Sequence, residues 1–180
     1  VSRYDGPGGN HVIVDNAELT VNSNMYIGYA AQGNLLVTNG ATLNTLYVNI
    51  GGLSGALSNR VTVTGAGSVW ASSGTIRLGG NYQDGNRLDV SDGGTVYAGT
   101  VIEVRSNALL SLDEGAVIAD IDIDPDAQLT GVGSITGTVS NAGTIAPGAS
   151  PGQMVIAGDL ALGDSSDLVM QLGGATDTEY

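Results

Sequence analysis

Asn59-Arg-Val-Thr-Val-Thr-Gly-Ala-Gly-Ser-Val-Trp70 (NRVTVTGAGSVW) decides the fold. Val61 and Val63 alternate with Arg60, Thr62 and Thr64. This period of two puts one face of a strand in a core and the other in water. Gly65-Ala-Gly67 then breaks the alternation with residues suited to a tight turn, and Val69 resumes an apolar position beyond it. On this reading Val69 points inward, and Trp70 faces outward or packs beneath a loop.

The same course recurs along the chain. Aligned on asparagine, the segments begin at Asn10, Asn34, Asn59, Asn86 and Asn107, with spacings of 24, 25, 27 and 21 residues. Each opens on alternating apolar residues, such as Leu88 with Val90 or Leu110 with Leu112. Each then turns through a polar stretch (Asn39-Gly-Ala41, Asp92-Gly-Gly94, Glu114-Gly-Ala116). A single apolar residue follows: Leu19, Leu43, Val69, Val96 or Val117. Most segments close on a second alternating run, as in Val48 with Ile50, Ile76 with Leu78, and Ile121 with Ile123. No segment sustains a helical apolar stripe. A period of 20 to 27 residues is too short for a propeller blade of about 40–50 residues. It fits one coil of a β-solenoid, in which each coil pairs with its neighbours and buries its inward side chains against theirs.

The uneven period predicts a right-handed parallel β-helix of about seven coils, because strand crossovers prefer that hand and its corners accept insertions. A left-handed hexapeptide solenoid, with its stricter period, ranks second. The insertions at 51–59 and 79–86 are expected to leave as outward loops. Residues 1–9 read as a lead-in or linker, and 10–180 as a single β-helix domain that is a segment of a longer chain.

Composition agrees with narrow stacked layers. The chain has 180 residues, 29 of them glycine, with no phenylalanine and one tryptophan. Its core must therefore be built of Val, Ile, Leu and Ala. All five cations are arginine, and the net charge is -13. That charge argues against nucleic acid and anionic bilayers, whose phosphates require clustered cations. There is no cysteine, hence no disulfide framework or thiolate chemistry. No apolar run approaches the ~20 residues of a membrane helix, so no direct membrane insertion is expected.

Toward the C-terminus the pattern tightens. Leu129-Thr-Gly-Val-Gly-Ser-Ile135 has the form of Val63-Thr-Gly-Ala-Gly-Ser-Val69, and Val139-Ser-Asn-Ala-Gly-Thr-Ile145 that of Val90-Ser-Asp-Gly-Gly-Thr-Val96. Leu129 and Val139 are close enough to lie on successive faces of one coil. Gly143-Thr-Ile-Ala-Pro-Gly-Ala-Ser-Pro-Gly-Gln153 lacks the Lys-Ser/Thr and following helix of a phosphate loop. Its two Pro-Gly pairs read as corners.

These stretches resemble the repeat of bacterial autotransporter passenger regions. The resemblance is carried by Asn59 to Trp70, by Ile76-Arg-Leu-Gly-Gly80, by Leu88 to Val96 and, most specifically, by Gly133 to Gly152. It covers roughly residues 10–180. It implies a secreted parallel β-helix that is extracellular or displayed on a bacterial cell surface. Such passengers include adhesins, scaffolds and some enzymes.

Individual residues add little chemistry. His11 is the only histidine and there is no cysteine to join it in a metal site. Asp120, Asp122 and Asp124 alternate with Ile121 and Ile123, so they share an outward edge. They form a candidate Ca²⁺ site, with Asp113 or Glu114 as possible helpers; no other cofactor is expected. The bland alternative is a solvated acidic face. Trp70, Tyr82 and Tyr97 are the aromatics available to stack on a sugar. Arg60 and Arg87 occupy equivalent positions after their asparagines, so they are expected to stack and balance acidic neighbours. No pair of carboxylates beside an aromatic platform suggests a hydrolase, and no enzyme is expected. The expected role is a structural or adhesive display rod. Alternatives are a self-assembling subunit of a filament or surface layer, and a glycan-binding or glycan-cleaving β-helix. The partners would be other copies of the chain, further β-helix coils, or a host or cell-surface glycan or protein.

Overall fold

The computed structural model describes residues 2–6, 9–29, 31–51, 57–80, 85–148 and 152–170, which contain strands and turns but no helix. β1 (Ser2–Gly6) lies before the first coil, which comprises β2 (Gly9–Asp15), β3 (Glu18–Thr20) and β4 (Met25–Ile27). Then follow β5 (Gly33–Thr38), β6 (Thr42–Thr45) and β7 (Val48–Ile50), and β8 (Arg60–Thr64), β9 (Val69–Ser72) and β10 (Ile76–Leu78). The next coil is β11 (Arg87–Ser91) and β12 (Thr95–Val104), and the next is β13 (Leu109–Ile123), which runs through all three faces. β14 (Gln128–Thr136) and β15 (Val139–Asn141) precede β16 (Thr144–Pro147), β17 (Met154–Ala157) and β18 (Leu160–Leu162), and β19 (Asp167–Leu168) returns to the first face.

Every coil-to-coil pairing is parallel, and only β1 runs antiparallel, on β2. The chain is thus an all-β parallel solenoid. Seven strands stack on the third face, from β4 to β18, separated by six steps. About six turns at ~4.8 Å give a rod roughly 30 Å long, close to the seven coils expected.

Alternation becomes burial through this stacking. On the first face Val12, Leu35, Val61, Leu88, Leu110, Leu129, Ile145 and Leu168 occupy one row. On the third, Met25, Val48, Ile76, Ile102, Ile121, Val139 and Leu160 form another. The middle members of both rows are sealed from solvent. Each fully buried Val, Leu or Ile contributes about 1.5–3 kcal/mol by leaving water. Leu129 and Val139 do share one coil, but on its first and third faces rather than successive ones, with Ile135 on the second face between them. Val139 to Ile145, however, spans the corner into the next coil, unlike Val90 to Val96.

The corners carry the backbone strain. Ser58 (φ 57°), Gly85 (74°), Asn107 (61°) and Asp126 (64°) form a left-handed row just before the first face. These residues are glycine or short polar ones, the types that visit that region most cheaply. This row corrects the alignment on asparagine. Asn34 pairs with Arg60 rather than standing level with Asn59, and Asn107 stands level with Gly85. Asn59 and Asn86 remain equivalent, and both are completely buried. Asn59 Nδ2 donates to Asn86 Oδ1 at 2.7 Å, while Asn59 Oδ1 accepts from the Gly33 amide at 2.6 Å. Gly28 makes room for this ladder: a Cβ there would lie 1.6 Å from Asn59 Oδ1.

Trp70 is the second correction. It sits in the interior row Leu19, Leu43, Trp70, Val96, Val117, completely buried, and Val69 is the outward residue. The corner explains the inversion. Val63 to Trp70 is one residue longer than Val37 to Leu43 or Val90 to Val96, and a one-residue shift swaps faces. The indole N–H donates to Thr45 Oγ1 at 3.1 Å, so its polar atom is satisfied inside the core. Pro147 ends β16 and Gly148 has φ 37°, placing the Pro-Gly stretch at the corner between first and second faces. Residues 149–151 of that stretch lie outside the described residues, as do 52–56 and 81–84 of the two expected loops.

Candidate functional site

On the outside of the first face a groove of about 540 Å³ crosses β8, β11, β13 and β14. Its centre is Asp89, a carboxylate 7% exposed. Parallel register sets Thr62 directly before it and Ser111 directly after it, in neighbouring coils. Arg60 and Arg87, themselves register partners, both turn onto Asp89. Arg60 Nε donates to Asp89 Oδ2 at 2.6 Å, and Arg87 Nε donates to Oδ1. Arg87 Nη2 also reaches Ser111 Oγ at 3.3 Å. The expected stacking of the two arginines is therefore present, and the acidic neighbour they share is Asp89. Burial of this carboxylate is compensated by two charge-assisted hydrogen bonds, one to each oxygen.

A bulge shapes the far wall. Val90 pairs with Leu112 and Ser91 with Glu114, so Asp113 is the extra residue of β13. Glu114 is left-handed at φ 59°. Bulges redirect side chains, and here Asp113 lines the groove beside Ser91 and Ser111. Gly131 keeps the wall close: a Cβ there would lie 1.8 Å from the Leu112 carbonyl oxygen.

A second ion-pair chain climbs the third face. Arg77 Nε donates to Glu103 Oε2 at 2.5 Å, Arg105 Nη2 donates to the same oxygen at 2.8 Å, and Arg105 Nη1 reaches Asp124 at 3.2 Å. Burial pushes the Glu103 carboxyl up, but hydrogen bonds from Arg77 and Arg105 outweigh it and hold the group below its ordinary value. The hydrogen bond to Glu103 raises Arg77 above its ordinary value. Arg77 also lies over the Tyr47 ring at 5.8 Å.

Asp120, Asp122 and Asp124 do share the outward edge, with Ile121 and Ile123 buried behind them. Two of the three have protein partners of their own. Asp120 accepts from the Thr138 amide at 2.8 Å, and Asp124 is engaged by Arg105. Asp113 and Glu114 sit at a different corner. Among the described residues no three acidic, histidine or cysteine side chains are grouped to hold a metal ion.

Of the aromatics considered for sugar stacking, Trp70 is in the core, Tyr97 is 43% exposed on the second face, and Tyr82 lies outside the described residues. His11 stands on the first face at the head of the row Asn34, Arg60, Arg87. Asp89, Ser111 and Asp113 went unread as a group. Asp89 belongs to one coil and Ser111 and Asp113 to the next, and the signal that joins them is the register of Leu88 with Leu110.

No protein-family model matches the chain, and no curated protein or solved structure matches it. The likeness to autotransporter passengers thus rests on the repeat words themselves.

Proposed function

We propose that this chain is a rigid display segment of an exported bacterial β-helix of the autotransporter-passenger type, without enzymatic activity. The supporting observation is the continuity of the interior rows: Met25 to Leu160 and Val12 to Leu168 run without interruption through the coils. A solenoid of this kind distributes stability over nearest-neighbour interfaces and presents its outer faces as a long surface. Cross-coil pairs such as Arg60–Asp89 and Arg77–Glu103 tie the coils on the outside. Protease shaving of intact source cells tests the reading. An antibody to residues 10–170 is expected to lose its signal after shaving; a signal that survives until the cells are lysed sinks it.

A second reading is end-to-end assembly. Leu160, Leu162 and Leu168 continue interior rows yet are 40%, 51% and 43% exposed, and among the described residues nothing stacks beyond them. Open strand edges of this kind accept further strands, from later coils or from a second copy. Light scattering that rises with concentration supports assembly; a concentration-independent monomer argues against it.

A further inference from the structure

The geometry points to the first-face groove as a binding site for an acidic oligosaccharide, one that carries both a carboxylate and free hydroxyls. Three observations carry this, and none depends on the display reading. First, the groove holds unspent donors. Arg60 uses only Nε on Asp89, so among the described residues both its terminal nitrogens are without a protein partner, on a side chain 57% exposed. Arg87 spends Nε and Nη2 and keeps Nη1. A guanidinium fork held in place by a buried carboxylate is preorganised for a second carboxylate, because its rotamers are already fixed.

Second, the local balance differs from that of the molecule. Two cations, Arg60 and Arg87, meet two carboxylates, Asp89 and Asp113, so the groove is locally balanced in a chain whose net charge is -13. Charges beyond about 8 Å are largely screened at physiological salt, so an arriving ligand meets this balanced set, with the free arginine nitrogens as its anchors, rather than the net charge of the chain. Third, Asp113 is thrust into the same groove by the bulge, and among the described residues its carboxylate has no protein partner. It disfavours a bare phosphate or sulfate. It favours a ligand that offers hydroxyl protons beside its carboxylate, as a uronic acid does. Ser91 and Ser111 can donate or accept along the same line. The groove runs across four successive coils, so a linear chain fits it better than a compact ion.

Calorimetric titration with a linear tetramer of galacturonic acid, in metal-free buffer, tests the site, with the matching neutral galactose tetramer as control. The acidic tetramer is expected to bind and the neutral one to bind at least tenfold more weakly. Arg60→Gln is expected to lower affinity about tenfold, the scale of a lost charge-assisted bond. Asp113→Asn is expected to lower it several-fold, and Arg77→Gln, on the third face, to leave it unchanged. Rising salt should weaken binding to the parent chain. Circular dichroism confirms that each variant is folded, and Asp113→Asn, a surface change, keeps the test open if Arg60→Gln is not. No binding at millimolar ligand, equal binding of the neutral tetramer, or equal losses in Arg60→Gln and Arg77→Gln would each overturn the proposal.

Discussion

Asn59 and Asn86 share a 2.7 Å hydrogen bond in the interior, one coil apart, at a position where apolar residues fill the later coils. Ala108 and Ala127 occupy the equivalent sites. The two amides replace hydrophobic contact with a directed bond and hold the Gly33 amide as well. Replacing Asn59 by Ala leaves the Gly33 N–H and Asn86 Oδ1 without this partner. A loss of about 1–3 kcal/mol is expected, the cost of an unmet buried polar group. Denaturant unfolding measures it, with Asn44→Ala on the exterior as a control that should change stability by less than about 1 kcal/mol.

Trp70 is the chain's sole tryptophan, so its fluorescence reports the core without ambiguity. A blue-shifted emission, resistant to iodide quenching, is expected in the folded protein. Trp70→Ala should cost about 3–5 kcal/mol. Thr45→Val should cost less, about 1–3 kcal/mol, by orphaning the indole N–H. An emission near that of free tryptophan in water would place the ring outside and refute the burial.

Glu103 links stability to pH. Its carboxyl is held below its ordinary value by Arg77 and Arg105, against the opposing effect of burial. Its folded value therefore lies below the unfolded one of about 4.3. The contribution is complete above that unfolded value and disappears as pH falls through the lower folded one. At neutral pH the parent chain should exceed Glu103→Gln by about 1 kcal/mol, a modest figure because both arginines are partly exposed. As pH falls through that lower folded value the two melting curves should converge. Curves that separate further on acidification would contradict the assignment.

Two glycines of similar backbone sign should respond very differently to alanine. At Gly40 (φ 75°) a Cβ meets nothing within 4 Å, so Gly40→Ala should cost only about 1 kcal/mol of conformational strain. At Gly131 (φ 105°) it meets the Leu112 carbonyl oxygen at 1.8 Å. Gly131→Ala should cost more than about 3 kcal/mol or prevent folding, because the backbones of two coils must part. Comparing the two melting temperatures separates strain from collision.

The inward positions were legible wherever two apolar residues alternate, because such a run has only one face to bury. Val61 with Val63, Leu88 with Val90 and Ile121 with Ile123 all lie in the core. Lateral register was less legible, since it depends on corner lengths, and those vary without a marked composition. From Val12 to Leu168 successive rungs are 23, 26, 27, 22, 19, 16 and 23 residues apart. The groove inherits that difficulty. Arg60, Asp89 and Asp113 are far apart in the chain and meet only once the six corners of two turns have been counted correctly. The acidic strand shows the converse: Asp120, Asp122 and Asp124 are near neighbours in sequence, yet Asp120 is taken up by the Thr138 amide and Asp124 by Arg105, partners that lie in other turns of the chain.

The long corner before Trp70 has one more consequence, best put as a reading frame. Each corner fixes whether the odd or the even residues of the next strand are read inward, and losing one residue between 65 and 68 would shift that frame. In most strands the shift would bury a polar side chain; ahead of Val61, it would bring Arg60 inside. After this corner both frames begin with an apolar residue, Val69 or Trp70, so an error here exchanges one hydrophobic residue for another of different volume. At this point in the chain the code for the core is degenerate.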